Sequence, residues 1–281
     1  MVLRQDGVHE LRDDRVVVAD DPRKEAVAAP QFDDEVVAHF VAYRTPGVVA
    51  PGQCGFEGAE CGRTGRCGHR FYYDAVTRPH GFSLPPVFAS PRPLVFGHRG
   101  GARIGPENTV VAFARALAAG ADGFECDVRL SADGVPVVIH DATLDRTSNA
   151  RGVAGDKPWA ELSRVDAGAW HSRAYAGEPL PTLDDVAAFC HAGGHALNIE
   201  IKPTPGNERH TGEVVARHAE RLWAGRATSP LLSSFQADGL EGARAAAPQL
   251  PRALLIDSLY DGWFDLAQRL GCVAVVANHK L

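Results

Sequence analysis

From Pro91 onwards, short apolar segments typical of strands alternate with longer segments of helical periodicity. The strand-like segments are PLVFGH, DGFECDVRL, GVPVVIHD, ALNIEIKP, PLLSSF, RALLID and CVAVVANH. The helix-like segments between them include NTVVAFARALAAG, which has a Thr or Asn N-cap and stops at Gly120. Because strands that alternate with helices form parallel βαβ units, the pattern predicts an α/β fold.

Seven strand-like segments in one region favour a (β/α)8 barrel, the TIM-barrel type, over an open doubly wound sheet. The spacing of Gly97, Gly100 and Gly101 after the first strand does not match a dinucleotide-binding fingerprint. Residues 91–281 are fewer than the roughly 250 of a usual barrel. We therefore expect a barrel domain over 91–281 that is truncated after strand seven, lacks strand eight and exposes the edges of strands one and seven.

Residues 1–90 lack this regularity. Their apolar pieces, such as RVVVAD and DEVVAHFVAY, are short and poorly periodic, and SLPPVFASPRP is typical of a linker. We expect residues 1–90 to be an extension: a small module, an irregular or disordered segment, or sequence read through from a misplaced start codon. The last two interpretations are favoured.

Composition restricts the partners and the compartment. A net charge of −6 and a pI near 6.0 argue against nucleic acid or an anionic membrane as a partner. Acidic residues occupy the place of a signal peptide's apolar region, and no apolar run reaches the length of a membrane span. Cys126, Cys190 and Cys272 stand singly in apolar surroundings, as buried thiols do in a reducing compartment. We expect a cytoplasmic protein without stable membrane association.

Three further cysteines and a histidine lie close together in CGFEGAECGRTGRCGH. Cys54, Cys61, Cys67 and His69 have spacings that match none of the usual zinc patterns. A glycine-rich loop is therefore favoured over a metal site here.

Polar side chains cluster where the predicted strands end. The set comprises His98, Arg99, Glu125, Asp127, His140, Asp141, Asn198, Glu200 and Lys202. Because residues i and i+2 of a strand point to the same side, Glu125 and Asp127 face away from the apolar residues between and beside them. The same alternation places Glu200 and Lys202 on one side of their strand. Active sites of such barrels lie at the carboxyl ends of the strands.

Three carboxylates that meet in a pocket of low dielectric repel one another, and a divalent cation relieves that repulsion. Oxygen ligands suit Mg²⁺ or Ca²⁺ better than zinc, so Glu125, Asp127 and Glu200 are candidate metal ligands. The alternative is ordinary ion pairing of these carboxylates with Arg99, Arg129 and Lys202. That alternative suffices for one strand, but two such strands together with strand-end histidines favour the metal site.

His98 and His140 each end an apolar strand and are candidates for acid–base catalysis, because imidazole titrates near neutral pH. Arg99 offers a planar fork that matches phosphate oxygens, and Lys202 offers a point charge. A cation, two basic side chains and two histidines suit attack on a phosphate ester. The sequence has no G-x-S-x-G motif near these residues for acyl chemistry.

The motifs HRGG…PENT, FECDVRLSADGVPVVIHDATLDRTS and NIEIKP resemble the glycerophosphodiester phosphodiesterase family. The likeness continues through GVAGDKPWAELSRVDAGAW, GEPLPTL, LLSSF and NHKL, and it covers about residues 94–281. Within the family, these motifs resemble those of the cytosolic bacterial enzymes associated with glycerol-3-phosphate uptake. The family's last strand, with its Thr-Val-Asn-type motif, has no counterpart here.

The resemblance implies a TIM barrel that hydrolyses glycerophosphodiesters to an alcohol and sn-glycerol 3-phosphate. It implies metal binding by the three carboxylates, acid–base catalysis by the two histidines, and phosphate binding by Arg99 and Lys202. It also implies a two-step course through a cyclic phosphate, and an insertion at about residues 142–181 that covers the mouth. The alternatives are a related phosphodiesterase acting on lysophospholipids or phosphoinositides, and an inactive, truncated chain that at best binds phosphoesters.

Overall fold

Parallel strands alternate with helices in the part of the chain that this computed structural model describes, residues 37–38, 40–41 and 94–278. The strands are β1 (Val37–Ala38), β2 (Phe40–Val41), β3 (Phe96–Gly97), β4 (Gly123–Leu130), β5 (Pro136–Val138), β6 (Ala196–Ile201), β7 (Leu231–Ser234), β8 (Arg252–Ile256) and β9 (Ala274–Ala277). The helices are α1 (Val110–Ala118), α2 (Trp159–Leu162), α3 (Leu183–Gly193), α4 (Glu208–Leu222), α5 (Ala237–Ala246) and α6 (Trp263–Arg269).

Six of the strands are parallel and lie side by side in the order β3-β4-β6-β7-β8-β9. Helices connect most of them, and the sheet curls in the manner of a TIM barrel. The predicted α/β fold of the TIM-barrel type is therefore confirmed. A regular barrel has eight parallel strands, so the described part forms an incomplete one.

The third predicted strand differs from the expectation, because it is antiparallel to its neighbour. β5 pairs with the end of β4 as a hairpin, with Val128 opposite Val138 and Leu130 opposite Pro136. Only five residues separate the two strands, and a parallel crossover needs a dozen or more. The hairpin turns the chain back along β4, so that the amide of Ile139 donates to the carbonyl oxygen of Asp127 at 2.9 Å.

The main core lies between the parallel sheet and its helices. Phe124, Cys126 and Val128 of β4 pack in it, together with their neighbours on β6, Leu197, Ile199 and Ile201. The alternation predicted from the sequence is thus confirmed, because these apolar residues face the helix layer. The polar residues between them face the interior of the curled sheet.

A second, smaller core belongs to the segment between β5 and α3, which includes the predicted insertion. Val137 and Ile139 pack there against Leu144, Leu162 and other apolar residues of the insertion. The following helix, α3, begins with a capping box in which Thr182 accepts from the amide of Asp185 and the Asp185 carboxylate accepts from the amide of Thr182. Just before this helix, the carbonyl oxygen of Pro181 accepts from the amide of Val138 at 2.8 Å, so the end of the insertion is joined to β5.

Both edges of the parallel sheet pair with residues near Val37, namely residues 37–38 at one edge and residues 40–41 at the other. β1 is antiparallel to β3, with Val37 opposite Gly97, and β2 is antiparallel to β9, with Val41 opposite Val275. The expected exposure of these edges is therefore not observed in the backbone. The boundary predicted near Pro91 lies outside the described residues and stays a prediction.

The Cys54–His69 segment lies outside the described residues as well, as do the last three residues of the NHKL motif. Among the helices that the structure describes, none has both the length and the apolar character needed to cross a bilayer.

Candidate active site

Three carboxylates meet inside the sheet, on neighbouring strands. Glu125 and Asp127 come from β4 and Glu200 comes from β6, and the strand register places Asp127 directly opposite Glu200. One oxygen from each carboxylate lies within 4.8 Å of the others. All three side chains are buried, and Asp127 has no exposed surface. The structure therefore brings together the three residues that the sequence proposes as metal ligands.

The three carboxyl groups respond differently to burial. Burial and the neighbouring charges of Asp127 and Glu200 hold the pKa of Glu125 well above its usual value. Burial and the charge of Asp127 likewise raise the pKa of Glu200, to about 7. Burial also opposes ionisation of Asp127, but the charges of Lys202 and Arg99 outweigh it and hold its pKa below the usual value. The chain's own cations thus compensate only part of the negative charge.

Several buried oxygen atoms in this acidic centre accept no hydrogen bond from the described residues. They are Glu125 Oε1, Asp127 Oδ1 and Glu200 Oε1, of which the last two lie 3.4 and 2.7 Å from Lys202 Nζ as ion pairs. Lys202 compensates the last two, whereas Glu125 Oε1 is a buried carboxylate oxygen without a hydrogen bond from the described residues, which is energetically costly. A hard divalent cation that takes oxygen ligands would satisfy it, so the donor set fits Mg²⁺ or Ca²⁺.

His98 and Arg99 lie in a tight 3-10 turn at the end of β3, and Arg99 has a left-handed backbone (φ 52°). The turn lets the amide of Arg99 donate to Glu125 Oε2 at 2.9 Å, and it places His98 Nε2 3.9 Å from the same oxygen. Gly100 continues the turn at φ 78°, and a Cβ there would lie 2.8 Å from the backbone of α1. Burial, together with the charge of Arg99, lowers the pKa of His98 to about 4.

The two basic side chains predicted to bind phosphate border the acidic centre. Arg99 Nε lies 3.3 Å from Asp127 Oδ2, and Lys202 Nζ lies between Glu200 and Asp127. Lys202 also lies over the ring of Phe235, 5.8 Å from its centroid. Both basic side chains are more exposed than the carboxylates, so positive charge lies between the acidic centre and the solvent.

His140 follows the β4–β5 hairpin and reaches the same region. Its Nδ1 lies 2.7 Å from Asp141 Oδ1, and its carbonyl oxygen accepts from Arg129 Nε at 2.9 Å. The guanidinium of Arg129 also reaches the carbonyl of Lys202 at 3.4 Å, so that it braces two of the segments that form the site. Burial lowers the pKa of His140 below its usual value.

Sequence reasoning missed the polar residues that surround these side chains. Asn108 donates to Asp127 Oδ2 at 2.8 Å and accepts from the amide of Asp127 at 3.1 Å. Glu107 accepts from Arg99 at 3.2 Å and from Arg146, which also bonds Asp141. Glu107 and Asn108 both lie in the PENT motif, and Arg146 lies in the DATLDRTS motif, so the signal for all three is the resemblance of these motifs to the family.

Asn198, a member of the predicted strand-end set, is buried on β6 beside the acidic centre. Its Oδ1 accepts no hydrogen bond from the described residues, and the register places Asn198 opposite Glu125. It therefore adds a buried oxygen without a hydrogen bond to the interior of the sheet.

These features define a class of protein: a hydrolase of the TIM-barrel type, with its site at the carboxyl ends of the parallel strands. A comparison with family models matches residues 98–281 to the glycerophosphoryl diester phosphodiesterase family. The chain belongs to this family and is a glycerophosphodiester phosphodiesterase.

Individual relatives agree with this assignment. A glycerophosphodiester phosphodiesterase of Caldanaerobacter subterraneus subsp. tengcongensis is 38% identical over 177 residues, which cover 60% of this chain and 70% of the relative. A Mus musculus glycerophosphoinositol inositolphosphodiesterase is 42% identical over 184 residues, 57% of this chain and 34% of that protein. The solved structure of an Oleispira antarctica phosphodiesterase in complex with the product sn-glycerol-3-phosphate is similar, with a TM-score of 0.59 and 34% identity, covering 62% of this chain and 70% of that one.

Proposed function

We propose that this chain hydrolyses glycerophosphodiesters to an alcohol and sn-glycerol 3-phosphate in a reaction that depends on Mg²⁺ or Ca²⁺. The observation that carries the proposal is the convergence of Glu125, Asp127 and Glu200 within 4.8 Å, with buried oxygens left without hydrogen bonds. These three residues would hold the cation. When bound, the cation would neutralise negative charge at the phosphate and polarise it towards attack.

Arg99 and Lys202 would bind the phosphate oxygens that the diester brings into the mouth. Arg99 is suited to this role because its guanidinium lies at the border of the acidic centre and its N–H donors lie in one plane, which matches phosphate oxygens. Lys202 contributes a positive charge from the neighbouring strand end. Together they would orient the diester and stabilise the negative charge that grows on the phosphoryl oxygens.

His98 and His140 would move the protons. In the two-step course, one imidazole takes the proton of a glycerol hydroxyl while the oxygen of that hydroxyl attacks phosphorus. The bond from phosphorus to the alcohol oxygen breaks, and the other imidazole protonates the departing alcohol. Water then opens the cyclic phosphate with the two roles exchanged. Burial lowers the pKa of both rings, so each is neutral near pH 7 and can accept a proton, and the ring that acts as the acid first takes up a proton.

The proposal is tested by measuring glycerol 3-phosphate released from glycerophosphocholine, with and without a chelator. We expect chelation to abolish release, and added Mg²⁺ or Ca²⁺ to restore it. Glu125→Gln keeps the size of the side chain but removes a charged ligand, and we expect it to weaken metal affinity or activity by at least about 10-fold. Activity that survives both chelation and Glu125→Gln would exclude the metal assignment.

A second candidate substrate is glycerophosphoinositol. The supporting observation is the identity shared with the Mus musculus relative, whose name assigns it an inositol phosphodiesterase activity. Parallel assays with glycerophosphocholine and glycerophosphoinositol separate the two candidates. A preference in kcat/KM for the inositol ester would replace the first assignment with the second.

We also propose a cytoplasmic location. Cys126, Cys190 and Cys272 are free thiols in the structure, and burial raises the pKa of each of them. Thiols of this kind persist in a reducing compartment.

A further inference from the structure

A continuous set of ion pairs and hydrogen bonds runs from Arg99 to His140 around the mouth of the sheet. Arg99 Nη1 donates to Glu107 Oε1 at 3.2 Å, and Glu107 in turn accepts from Arg146. Arg146 also donates to Asp141, whose Oδ1 lies 2.7 Å from His140 Nδ1. Arg146 thus stands between the phosphate-side arginine and one of the two histidines, without touching the acidic centre itself.

Arg146 uses its guanidinium as two forks. One edge, Nε and Nη2, donates to the two oxygens of Asp141 at 2.7 and 3.0 Å. The other edge, Nη1 and Nη2, donates to the two oxygens of Glu107 at 2.7 Å each. Only a planar guanidinium can bind two carboxylates in this way, because a lysine ammonium has no second edge. The geometry is more specific than a surface ion pair requires.

The contacts of Arg146 determine the protonation of His140, because Asp141 binds both residues. Hydrogen bonds from Arg146 hold the pKa of Asp141 well below its usual value, so the Asp141 carboxylate is ionised at neutral pH and can only accept. His140 Nδ1 must therefore carry the proton in this contact, and Nε2 of the neutral ring is left as the acceptor. A fixed tautomer is what a general base needs before it meets its substrate.

We propose that Arg146 is a positioning residue, which clamps Asp141 against His140 and Glu107 against Arg99 and thereby fixes the proton of His140 on Nδ1. This inference rests on the proposed acid–base role of His140. It extends that role because it assigns the orientation of the imidazole to an arginine 45% exposed at the rim.

The test compares two arginines of the insertion that each pair with an aspartate. Arg146→Lys keeps the positive charge and removes the double fork. Arg151→Lys is the matched control, because Arg151 binds Asp145 through one exposed contact at 3.3 Å and lies outside the ion-pair set. Nitrogen-15 NMR of histidine-labelled chain reports the tautomer of His140, which is distinguished from the other eleven histidines by its absence in His140→Gln.

We expect the Nδ1–H tautomer in the wild type and in Arg151→Lys, and a mixture of tautomers in Arg146→Lys. With saturating divalent cation, Arg146→Lys is expected to lower kcat about 10- to 100-fold while KM changes by less than about three-fold. Glu107→Gln is expected to raise KM as well, because it releases Arg99. Circular dichroism of the folded variants shows that the comparison is made between intact chains.

The tautomer and the turnover separate this inference from the proposed function. If the wild type releases no glycerol 3-phosphate, the proposed function fails, and the NMR comparison still decides the positioning role. An unchanged Nδ1–H tautomer in Arg146→Lys overturns the inference, whatever the activity. A changed tautomer with unchanged kcat also overturns it, because the orientation of His140 would then be irrelevant to turnover.

Discussion

At the level of single residues, burial sets the protonation state of both histidines at the mouth of the sheet. The pKa of His98 falls to about 4 because the ring is buried and faces Arg99. Burial also dominates the lowered pKa of His140, although the nearby charge of Asp127 opposes it. A neutral imidazole has one ring nitrogen free to accept a proton, and it acts as an acid only after it has been protonated.

We therefore expect His98→Ala and His140→Ala each to lower the turnover of glycerophosphocholine by about 10²- to 10⁴-fold. Each substitution removes a proton carrier that no neighbouring group replaces in its position. His210→Ala is the control, because His210 is exposed on α4, and turnover should remain at the wild-type level. A loss of only a few-fold in either mouth variant would remove that histidine from the acid–base role.

The contribution of Glu107 to the free energy of unfolding is expected to depend on pH. Burial opposes its ionisation, but hydrogen bonds from Arg146 and the charge of Arg99 hold its pKa below the ordinary value of 4.5. Its contribution is therefore fully present above pH 4.5 and is lost as the pH falls through the lower pKa of the folded state. We expect Glu107→Gln to lower the free energy of unfolding by about 1–2 kcal/mol at pH 7.

Urea denaturation at a series of pH values checks this expectation. The difference between Glu107→Gln and the wild type should shrink as the pH falls below 4.5. Glu213→Gln, which removes an i,i+4 pair with Arg217 on the surface of α4, should stay within about 0.5 kcal/mol of the wild type at every pH. A difference for Glu107→Gln that does not vary with pH would contradict the electrostatic origin.

The sequence predicts the candidate metal ligands better than the residues that hold the site in place. Alternation along a strand identifies Glu125, Asp127 and Glu200, because successive side chains point to opposite faces of the sheet. The apolar face packs against the helices, so the charged face must point to the interior of the sheet. No comparable periodicity links Glu107 or Arg146 to them. These residues lie in loops, and their partners are distant along the chain, so only the folded structure brings them together.

At the level of elements, the β4–β5 hairpin decides where His140 lies. The apolar patterns predict both strands but not their relative direction, because such a pattern does not distinguish a parallel from an antiparallel partner. The length of the link determines the direction, because five residues are too few for a parallel crossover. The return along β4 leaves His140 close to Asp127 and places the insertion beside the mouth.

The insertion depends on its own core. Leu162 of α2 is fully buried among Leu144, Val165 and the β5 residues. We expect Leu162→Ala to lower the free energy of unfolding by about 2–5 kcal/mol, because it removes buried methyl groups and leaves a cavity. Since Arg146 and Asp141 lie at the start of the same segment, turnover should fall as well.

The matched control is Leu259→Ala, because Leu259 is 62% exposed in the loop after β8. That substitution should change the free energy of unfolding by less than about 0.5 kcal/mol. Urea denaturation measures both variants, and hydrogen exchange shows whether the amides of residues 142–181 open first in Leu162→Ala. Equal stability of the two variants would show that the insertion does not depend on this core.

At the level of the whole molecule, the parallel sheet has two edges that need partners. Unpaired N–H and C=O groups on an edge strand invite pairing with another chain. In this structure, residues 37–38 pair with β3 and residues 40–41 pair with β9. One short antiparallel segment thus continues the sheet at both edges, where a regular barrel would have parallel strands.

This pairing could not be predicted from the sequence. The segment DEVVAHFVAY is apolar enough for a strand, but it lacks the strict alternation that marks β4 and β6. It is also separated from β3 and β9 by long stretches of chain, and local patterns carry no information about such distant partners. The βαβ units, by contrast, follow from their own periodicity because each strand pairs with a near neighbour in sequence.

We expect the pairing of residues 37–41 to contribute to stability. The test compares the full chain with a chain that starts at residue 34, which retains the segment, and with one that starts at residue 42, which lacks it. Removal of the segment exposes the backbone of β3 and β9, so the melting temperature should fall by about 2–4 °C for each kcal/mol lost. The chain that starts at residue 34 is the matched control, because it keeps both pairing pieces.

Self-association gives an independent measure of the same edges. Because an unpaired edge recruits other strands, the chain that starts at residue 42 should form larger species in light scattering at a concentration where the chain that starts at residue 34 does not. Hydrogen exchange at Phe96 and Val275 locates the change, since their strands lie opposite the deleted segment. Equal melting temperatures and equal protection in the two shortened chains would show that the pairing contributes nothing to the folded state.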